Sequence, residues 1–506
     1  MAEPSQGPLF AAVDAGTTGA RAAVVDLEGT RLAEVRRAYP TEMPRTGWAE
    51  QDAALWAERS VEALAGLPAE LRRRVVAIGL TGQSPSVAPV AADGTPTGPG
   101  MIYRDNRAVA EAEELRDRLG AEHMHRLTGH TPEAFHVGPK VLWFRRHHPE
   151  AFARTRWFLQ PRDLVLLRLS GRALTDRSHA NCTLFYDLAA GCWAQEVFDA
   201  VDLDPSVFPE AIPSADVAAE LPGAVAEEVG LRPGLPIVIG AGDSQCVAFG
   251  TGVVAKGPIS EMSGSSSCIN SAVPTPRRDR RITHFHHVVE GWYTTELGLN
   301  TTGAAVQWAV ATLGFDDFDD LATAATVGRA RATAGGAGGP AVGPVDAAPA
   351  FLPYLGDGER DDPDVRAAFL GLSDRHDRAD LAYAVLEGVA AGVAGVVDIL
   401  RRAGSPLEEL RVSGGGARLP VLGQVKADLL GVPVVHFPAD ASAIGAALLA
   451  APAAGHAEEA AAAIAGLVAR ADRFEPDPAR AGAVAERRVW IDRVRRAAAV
   501  HRGGRR

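Results

Sequence analysis

The sequence predicts an α/β protein of two domains facing one another across a cleft. Three observations predict it. The chain has 506 residues, and a single hydrophobic core stops growing at roughly 250–300 residues. Near the amino terminus, Asp14-Ala15-Gly16-Thr17-Thr18-Gly19-Ala20-Arg21 ends an apolar, strand-like run with an acidic residue and small, flexible ones. Far along the chain, Gly240-Ala241-Gly242-Asp243 does the same, and a strand–small turn–strand pattern then restarts around Gly264-Ser265-Ser266-Ser267.

The elements follow in order. Leu9–Val13 reads as a buried strand. Arg21–Asp26 and Arg31–Tyr39 are the next two, joined by a turn at Leu27-Glu28-Gly29-Thr30. A helix is expected over Ala53–Leu64 and a strand over Val75–Leu80, ending in Thr81-Gly82-Gln83. Leu235–Ile239 is a strand that runs into Asp243, where a helix begins. Pro258–Met262 and Cys268–Val273 repeat the amino-terminal hairpin, which reads as a structural duplication. Leu410–Val412, the turn Ser413-Gly414-Gly415-Gly416-Ala417, an amphipathic helix through Leu430, and Val432–Phe437 form a strand–loop–helix–strand unit. Residues 333–349 read as a low-complexity connection. Ala457–Ala469 reads as a packed helix. These elements place an amino-terminal domain at 1–246, a carboxyl-terminal domain at 247–490 and a basic tail at 491–506.

Bulk properties exclude several function classes. The apolar fraction is 47% and the formal charge −12, so neither a nucleic acid nor an anionic membrane is the expected partner. No run of ~18–20 apolar residues stands out as a membrane span, and Met1–Leu9 carries no signal-peptide pattern. Cys182, Cys192, Cys246 and Cys268 form no CxxC pair, which reads as reduced thiols in a cytoplasmic protein. His284, His286 and His287 cluster without a carboxylate or thiol at metal spacing and read as a loop or strand edge.

The small-residue turns carry the chemistry. Backbone N–H groups in such turns approach a phosphate closely and form an anion nest. Thr17, Thr18, Ser265 and Ser266 add hydroxyl donors, and Arg21 adds a positive charge. Asp14 cannot bind phosphate directly but can hold Mg²⁺ that neutralises it; its bland alternative is a turn-capping aspartate. Asp243 is either a helix N-cap or a general base that takes a proton from an attacking hydroxyl. The glycines at Gly414, Gly415 and Gly416 let a flat ligand lie on the backbone.

At these residues the chain resembles the FGGY carbohydrate kinases of the actin-like, ribonuclease-H-like ATPase superfamily, over roughly Leu9 to Ala451. Two longer stretches make the resemblance specific. Phe135-His136-Val137-Gly138-Pro139-Lys140-Val141-Leu142-Trp143-Phe144-Arg145-Arg146-His147 is similar to the family's amino-half signature, departing at Val137. Ala367-Ala368-Phe369-Leu370-Gly371-Leu372 with Asp380-Leu381-Ala382-Tyr383-Ala384-Val385-Leu386-Glu387 is similar to the carboxyl-half signature. Gly47–Asp52 and Phe351–Arg360 also look like the family. The resemblance implies two ribonuclease-H-like domains around a central cleft, with ATP and Mg²⁺ used to phosphorylate a sugar or polyol hydroxyl. It implies Asp243 as catalytic base, at the metal together with Asp14. Gly16, Thr17, Thr18, Gly19 and Arg21 become the first phosphate turn, and Gly264, Ser265 and Ser266 the second. Gly303, Gln307 and Gly414 to Ala417 become nucleotide contacts.

For the sugar, the same resemblance points to Gln83, Ser84, Arg104, Asp105 and Asp243. Ser84 and Pro85 stand where the glycerol-kinase subgroup has an Arg-Glu pair, and Phe135 where it has a tyrosine, which disfavours glycerol. They also replace the Met-His usual in xylulose kinases. Tyr103-Arg104-Asp105-Asn106-Arg107 keeps Asp105 and Arg107 of that subgroup's motif, while Arg104 is a new charge. D-xylulose is the leading single substrate; ribulose, gluconate or an erythritol-type polyol are the alternatives, and a homodimer is plausible. A non-catalytic sugar- or nucleotide-binding relative is the competing class, disfavoured because both turns and Asp243 are in place.

Overall fold

In the computed structural model, residues 7–333, 348–356, 365–437 and 441–500 are described. Most of the 333–349 connection, the last residues of the Phe351–Arg360 stretch and the end of the basic tail lie outside them. Two compact units divide the chain. The first comprises Met1–Ala255, Ala272–Thr295 and Ala441–Ala469; the second comprises Lys256–Ser271, Glu296–Asp440 and Arg470–Arg506.

The first unit is built on a six-stranded sheet. Its strands are β1 (Leu9–Ala15), β2 (Gly19–Val25), β3 (Arg31–Ala38), β4 (Val75–Gly82), β5 (Val217–Glu220) and β6 (Pro236–Gly242), in the order β5-β6-β4-β1-β2-β3. Every residue of β1 is buried, as expected of a central strand covered on both faces, which needs an unbroken apolar run. β3, at the edge, is half charged and half-exposed. β1 pairs antiparallel with β2 and parallel with β4, and β4 pairs parallel with β6. Three carboxyl-terminal strand ends therefore lie side by side. Helix α1 (Ala53–Ala65), capped by Asp52, packs on one face.

Helix α2 (Asp243–Gly250) leaves β6 directly. It crosses α8 (Ala441–Ala450) at glycines: a Cβ on Gly445 would stand 2.0 Å from the Cys246 carbonyl oxygen. A Cβ on Gly79 of β4 would stand 1.9 Å from the Ala446 carbonyl oxygen. All of α8 is buried, so these close approaches seat an apolar helix directly on the sheet. Helix α9 (Ala457–Arg470) buries only Ala460, Ala463, Ile464 and Leu467.

The second unit repeats the motif. Its strands β7 (Gly257–Ser263), β8 (Ser267–Val273), β9 (Tyr293–Leu299), β10 (Leu407–Gly414), β11 (Val434–His436) and β12 (Asp472–Phe474) run in the order β9-β8-β7-β10-β11-β12. The β7–β8 hairpin with parallel β10 beside it mirrors β1, β2 and β4. Around the sheet lie α3 (Gly303–Leu313), α4 (Phe318–Thr333), α5 (Arg378–Arg402), α6 (Pro420–Leu430) and α10 (Ala481–Val500).

Two sequence expectations are corrected. Helix α6 is not amphipathic: nine of its residues from Val421 to Leu430, Lys426 among them, are buried. Helix α5 does have the length and composition of a membrane span, unlike the expectation that no run would, yet 72% of its apolar window is buried inside the protein. It is the core helix of its unit, capped by Asp377 and Asp380.

Candidate active site

Asp14 sits one residue before the end of β1, in register with Arg21 on β2 and Thr81 on β4. It is buried, and its Oδ2 accepts from Arg21 Nε at 3.1 Å and from Nη2. Its Oδ1 is buried with no hydrogen-bond partner. Arg21 is therefore engaged with Asp14 instead of standing ready for a phosphate alone. An orphaned carboxylate oxygen is costly and suits a hydrated cation. No group of three or more His, Cys, Asp or Glu among the described residues forms a metal cage. A site with one or two carboxylates that leaves the rest to water and phosphate is the Mg²⁺ pattern, so the residues fit.

The turn after Asp14 is held from behind. The Gly16 N–H donates to the Gly19 carbonyl at 3.2 Å. The Gly16 carbonyl accepts from the Tyr39 hydroxyl and from Gln83 Nε2 at 3.3 Å, and the Thr17 carbonyl accepts from Gln51 Nε2 at 2.7 Å. Burial raises the Tyr39 phenol above its ordinary range, with Asp14 adding to it, so the phenol stays a donor. With the carbonyls turned inward and engaged, the outer side of the turn is left to the N–H groups and hydroxyls of half-buried Thr17 and exposed Thr18. Gly19 admits no side chain, since a Cβ would lie 2.5 Å from the Arg37 carbonyl oxygen.

Gln83, expected at the sugar, is a brace. Its N–H donates to the Ala15 carbonyl, its amide to Gly16 and to Gln51 Oε1, and its Oε1 accepts from Ser86. Asp105 is likewise occupied: its carboxylate accepts from the Ala49 N–H at 2.7 Å, the Arg107 N–H and the Arg107 guanidinium. Arg107 also pairs with Glu50 and lies over Trp48 and Trp143. Arg104 is exposed. Fully buried Lys140 donates to the Pro85 and Ile102 carbonyls at 3.2 and 2.8 Å, tying the Ser84–Pro85 loop to the Arg104 loop. Burial brings its ammonium down to about 7, against the opposing pull of Asp105.

Asp243 is the first residue of α2, following Gly242, which pairs with Gly82. The bulge that turns it is set by Gly240 at φ +68°, where a Cβ would lie 1.7 Å from the Leu80 carbonyl oxygen. Asp243 is half-buried, and its Oδ1 accepts from the Ser244 N–H at 2.7 Å. A carboxylate there lies at the positive end of the helix dipole. Ser84 stands beside Gly242, and its hydroxyl bonds Gln160 and contacts Cys182.

The sequence reading missed the support of this wall. Buried Arg162 donates to Asp176 Oδ1 at 2.8 Å, to Asp163 at 2.6 Å and to the Gly240 carbonyl at 2.8 Å. Burial opposes the Asp176 charge, but Arg162, His179 and Ser178 together outweigh it and hold the carboxyl well below the usual range. Only the proximity of an Arg and two Asp in sequence hinted at this pairing.

The second unit gathers its own predicted residues. Gly264 N–H donates to Ser266 O, and the N-terminus of α3 rests on the turn: the Gly303 N–H donates to Gly264 O and the Ala304 N–H to Ser265 O. A Cβ on Gly303 would stand 2.2 Å from Gly264 O. Gly414, at φ +94°, pairs with Ser263 at the base of the same turn, and a Cβ on Gly416 would meet Ser263 Oγ at 2.2 Å. Ser265, Gln307 and Gly415 are exposed, and Ser266, Gly416 and Ala417 half-buried. Beneath them Lys426 binds both Glu261 oxygens at 2.8 and 2.7 Å, and Ser267 joins Glu261 to Thr302.

The histidine cluster is internal. His284 Nε2 accepts from the Arg277 N–H, His286 contacts Asn181, and His287 bonds the Val253 carbonyl.

Residues 9–250 match the N-terminal domain of the FGGY family of carbohydrate kinases and residues 261–454 its C-terminal domain. A xylulose kinase of Klebsiella pneumoniae is 28% identical over 452 residues, covering 87% of this chain and 89% of that protein. A glycerol kinase of Gloeobacter violaceus is 31% identical over 442 residues, covering 84% and 83%. The crystal structure of a xylulose kinase from Rhodospirillum rubrum superposes with a TM-score of 0.84 at 28% identity, covering 97% of this chain and 98% of the other. With both domains matched, the chain belongs to the FGGY family of carbohydrate kinases and has that family's two-domain α/β fold.

Proposed function

We propose that this sugar kinase transfers the γ-phosphoryl group of ATP to a ketopentose hydroxyl, with D-xylulose as the substrate and Asp243 as the general base. The observation that carries the assignment of the base is the half-buried carboxylate at the first turn of α2, beside the β4 and β6 ends. In a loose transfer the hydroxyl proton leaves late, so a well-placed, ordinary carboxylate suffices. The relatives named xylulose kinase support the sugar.

The same reading assigns the other roles. Thr17, Thr18, Gly19, Ser265 and Ser266 supply donors to the phosphates, and Gly303, Gln307 and Gly414 to Ala417 hold the nucleoside. Arg21 and Gln83 fix Asp14 and the first turn. Asp14 and Asp243 would hold Mg²⁺, which would supply charge neutralisation to the phosphates. Ser84 and Arg104 face the sugar, while Asp105 shapes the loop that carries Arg104.

A second reading rests on Arg104. An exposed guanidinium in the loop tied to Ser84 suits an acid sugar such as gluconate. Steady-state ADP release on D-xylulose, D-ribulose, gluconate, erythritol and glycerol decides between them. Asp243→Asn is expected to cut kcat by at least about 10³-fold while the Kd for ATP changes little. Full turnover in that variant overturns the base.

A further inference from the structure

His179 has no role in the account above, yet it is the most conspicuous unsatisfied group near Asp243. It lies in a short helix, Arg177–Asn181, capped by Asp176. The side chain is 1% exposed. Its Nδ1 stands 3.1 Å from Asp176 Oδ1, within ion-pair distance but without a well-formed hydrogen bond. Its Nε2 has no partner at all.

The position of that nitrogen is informative. A Cβ placed on Gly242 would lie 3.6 Å from His179 Nε2 and 3.6 Å from Ser84 Cβ. The imidazole and Ser84 therefore flank the backbone immediately before Asp243. The ring is held there rigidly. Asp176 accepts from the Ser178 N–H and hydroxyl, the His179 N–H, the Ser214 hydroxyl and Arg162. The His179 carbonyl accepts from Gln160 Nε2 at 2.9 Å. A buried ring nitrogen left unpaired costs stability, and so much anchoring around it is what a ligand contact requires.

We propose that His179 is a specificity-determining residue for the sugar, its Nε2 accepting a hydrogen bond from a second hydroxyl, one other than the hydroxyl that Asp243 deprotonates. The Asp176 carboxylate draws the ring proton to Nδ1, which leaves Nε2 as the acceptor. Asp176 and Arg162 are then positioning residues that act through the ring. This inference rests on the sugar-kinase reading and deepens it.

The test compares selectivity, not activity alone. Wild type, His179→Ala and His179→Gln are assayed with D-xylulose and with its analogues lacking the hydroxyl at carbon 1, 3 or 4. If wild type uses another sugar of the panel, that sugar and its deoxy analogues take their place. In wild type, one deoxy analogue is expected to lose about 10- to 100-fold in kcat/KM relative to the parent. In His179→Ala the parent falls by a similar factor and that analogue hardly at all, so the discrimination collapses to within about threefold. His179→Gln, which can offer an amide oxygen, recovers part of it. Melting curves establish that each variant is folded. Unchanged discrimination in folded His179→Ala overturns the inference while leaving the kinase reading intact. Equal losses on every sugar in both variants overturn it too, because they mark a structural role. A wild type inactive on the whole panel overturns both.

Discussion

Single atoms decide much of this site. Gly303 is fixed by a 2.2 Å approach of a would-be Cβ to the Gly264 carbonyl. Gly303→Ala must lift α3 off the second turn, and a rise of about tenfold or more in the KM for ATP is expected, with the sugar KM changing less than threefold. Equal effects on both constants in steady-state kinetics would show that the turn does not serve the nucleotide. The residue scale is also where sequence reading fell short. Asp14 and Asp243 announced themselves through the small residues beside them. Gln83 and Asp105 looked equally available, but their hydrogen-bonding capacity is consumed by partners as distant as Gln51 and Ala49. His179 gave no local sign, because what distinguishes it is a missing partner, and a missing partner has no sequence pattern.

Among elements, strands and their turns were legible because burial on both faces writes a continuous apolar run, as in β1. The surroundings of α6 were not. The helix reads as amphipathic in sequence, whereas its Lys426 neutralises Glu261 on β7 with both groups fully buried. Lys426→Met leaves that carboxylate buried without its counter-charge and is expected to cost about 3–5 kcal/mol, measurable by urea unfolding. Adding Glu261→Gln should return part of the loss; no recovery in the double variant would locate the effect elsewhere. The crossing of α2 and α8 carries a second prediction. Gly445→Ala drives a methyl against the Cys246 carbonyl, so α2 must shift and carry Asp243 with it. A fall in kcat of about tenfold or more together with a lower Tm is expected; an unchanged kcat would show that the base tolerates the displacement.

For the molecule as a whole, acid is the revealing stress. Burial is the chief cause that brings His284 to about 3 and His286 and His287 to about 4. Each folded-state value lies below the unfolded value of about 6.5. The unfolded chain therefore binds protons first as pH falls. The stability these neutral rings preserve is complete above about pH 6.5 and is lost progressively down to about pH 4 for His286 and His287 and about pH 3 for His284, at about 1.4 kcal/mol per unit for each ring. Replacing His284 with Gln should flatten the decline in Tm between those limits; an unaltered slope would remove His284 from the account.

The route of the chain through the first unit has a consequence for synthesis. Helix α8 comes from residues 441–450, while the strands it covers begin at Leu9. On a ribosome, the β4 face around Gly79 waits bare for α8 while hundreds of residues are made. A nascent chain stopped short of Ala441 would present that apolar face to water, ready to meet a chaperone or another stalled copy.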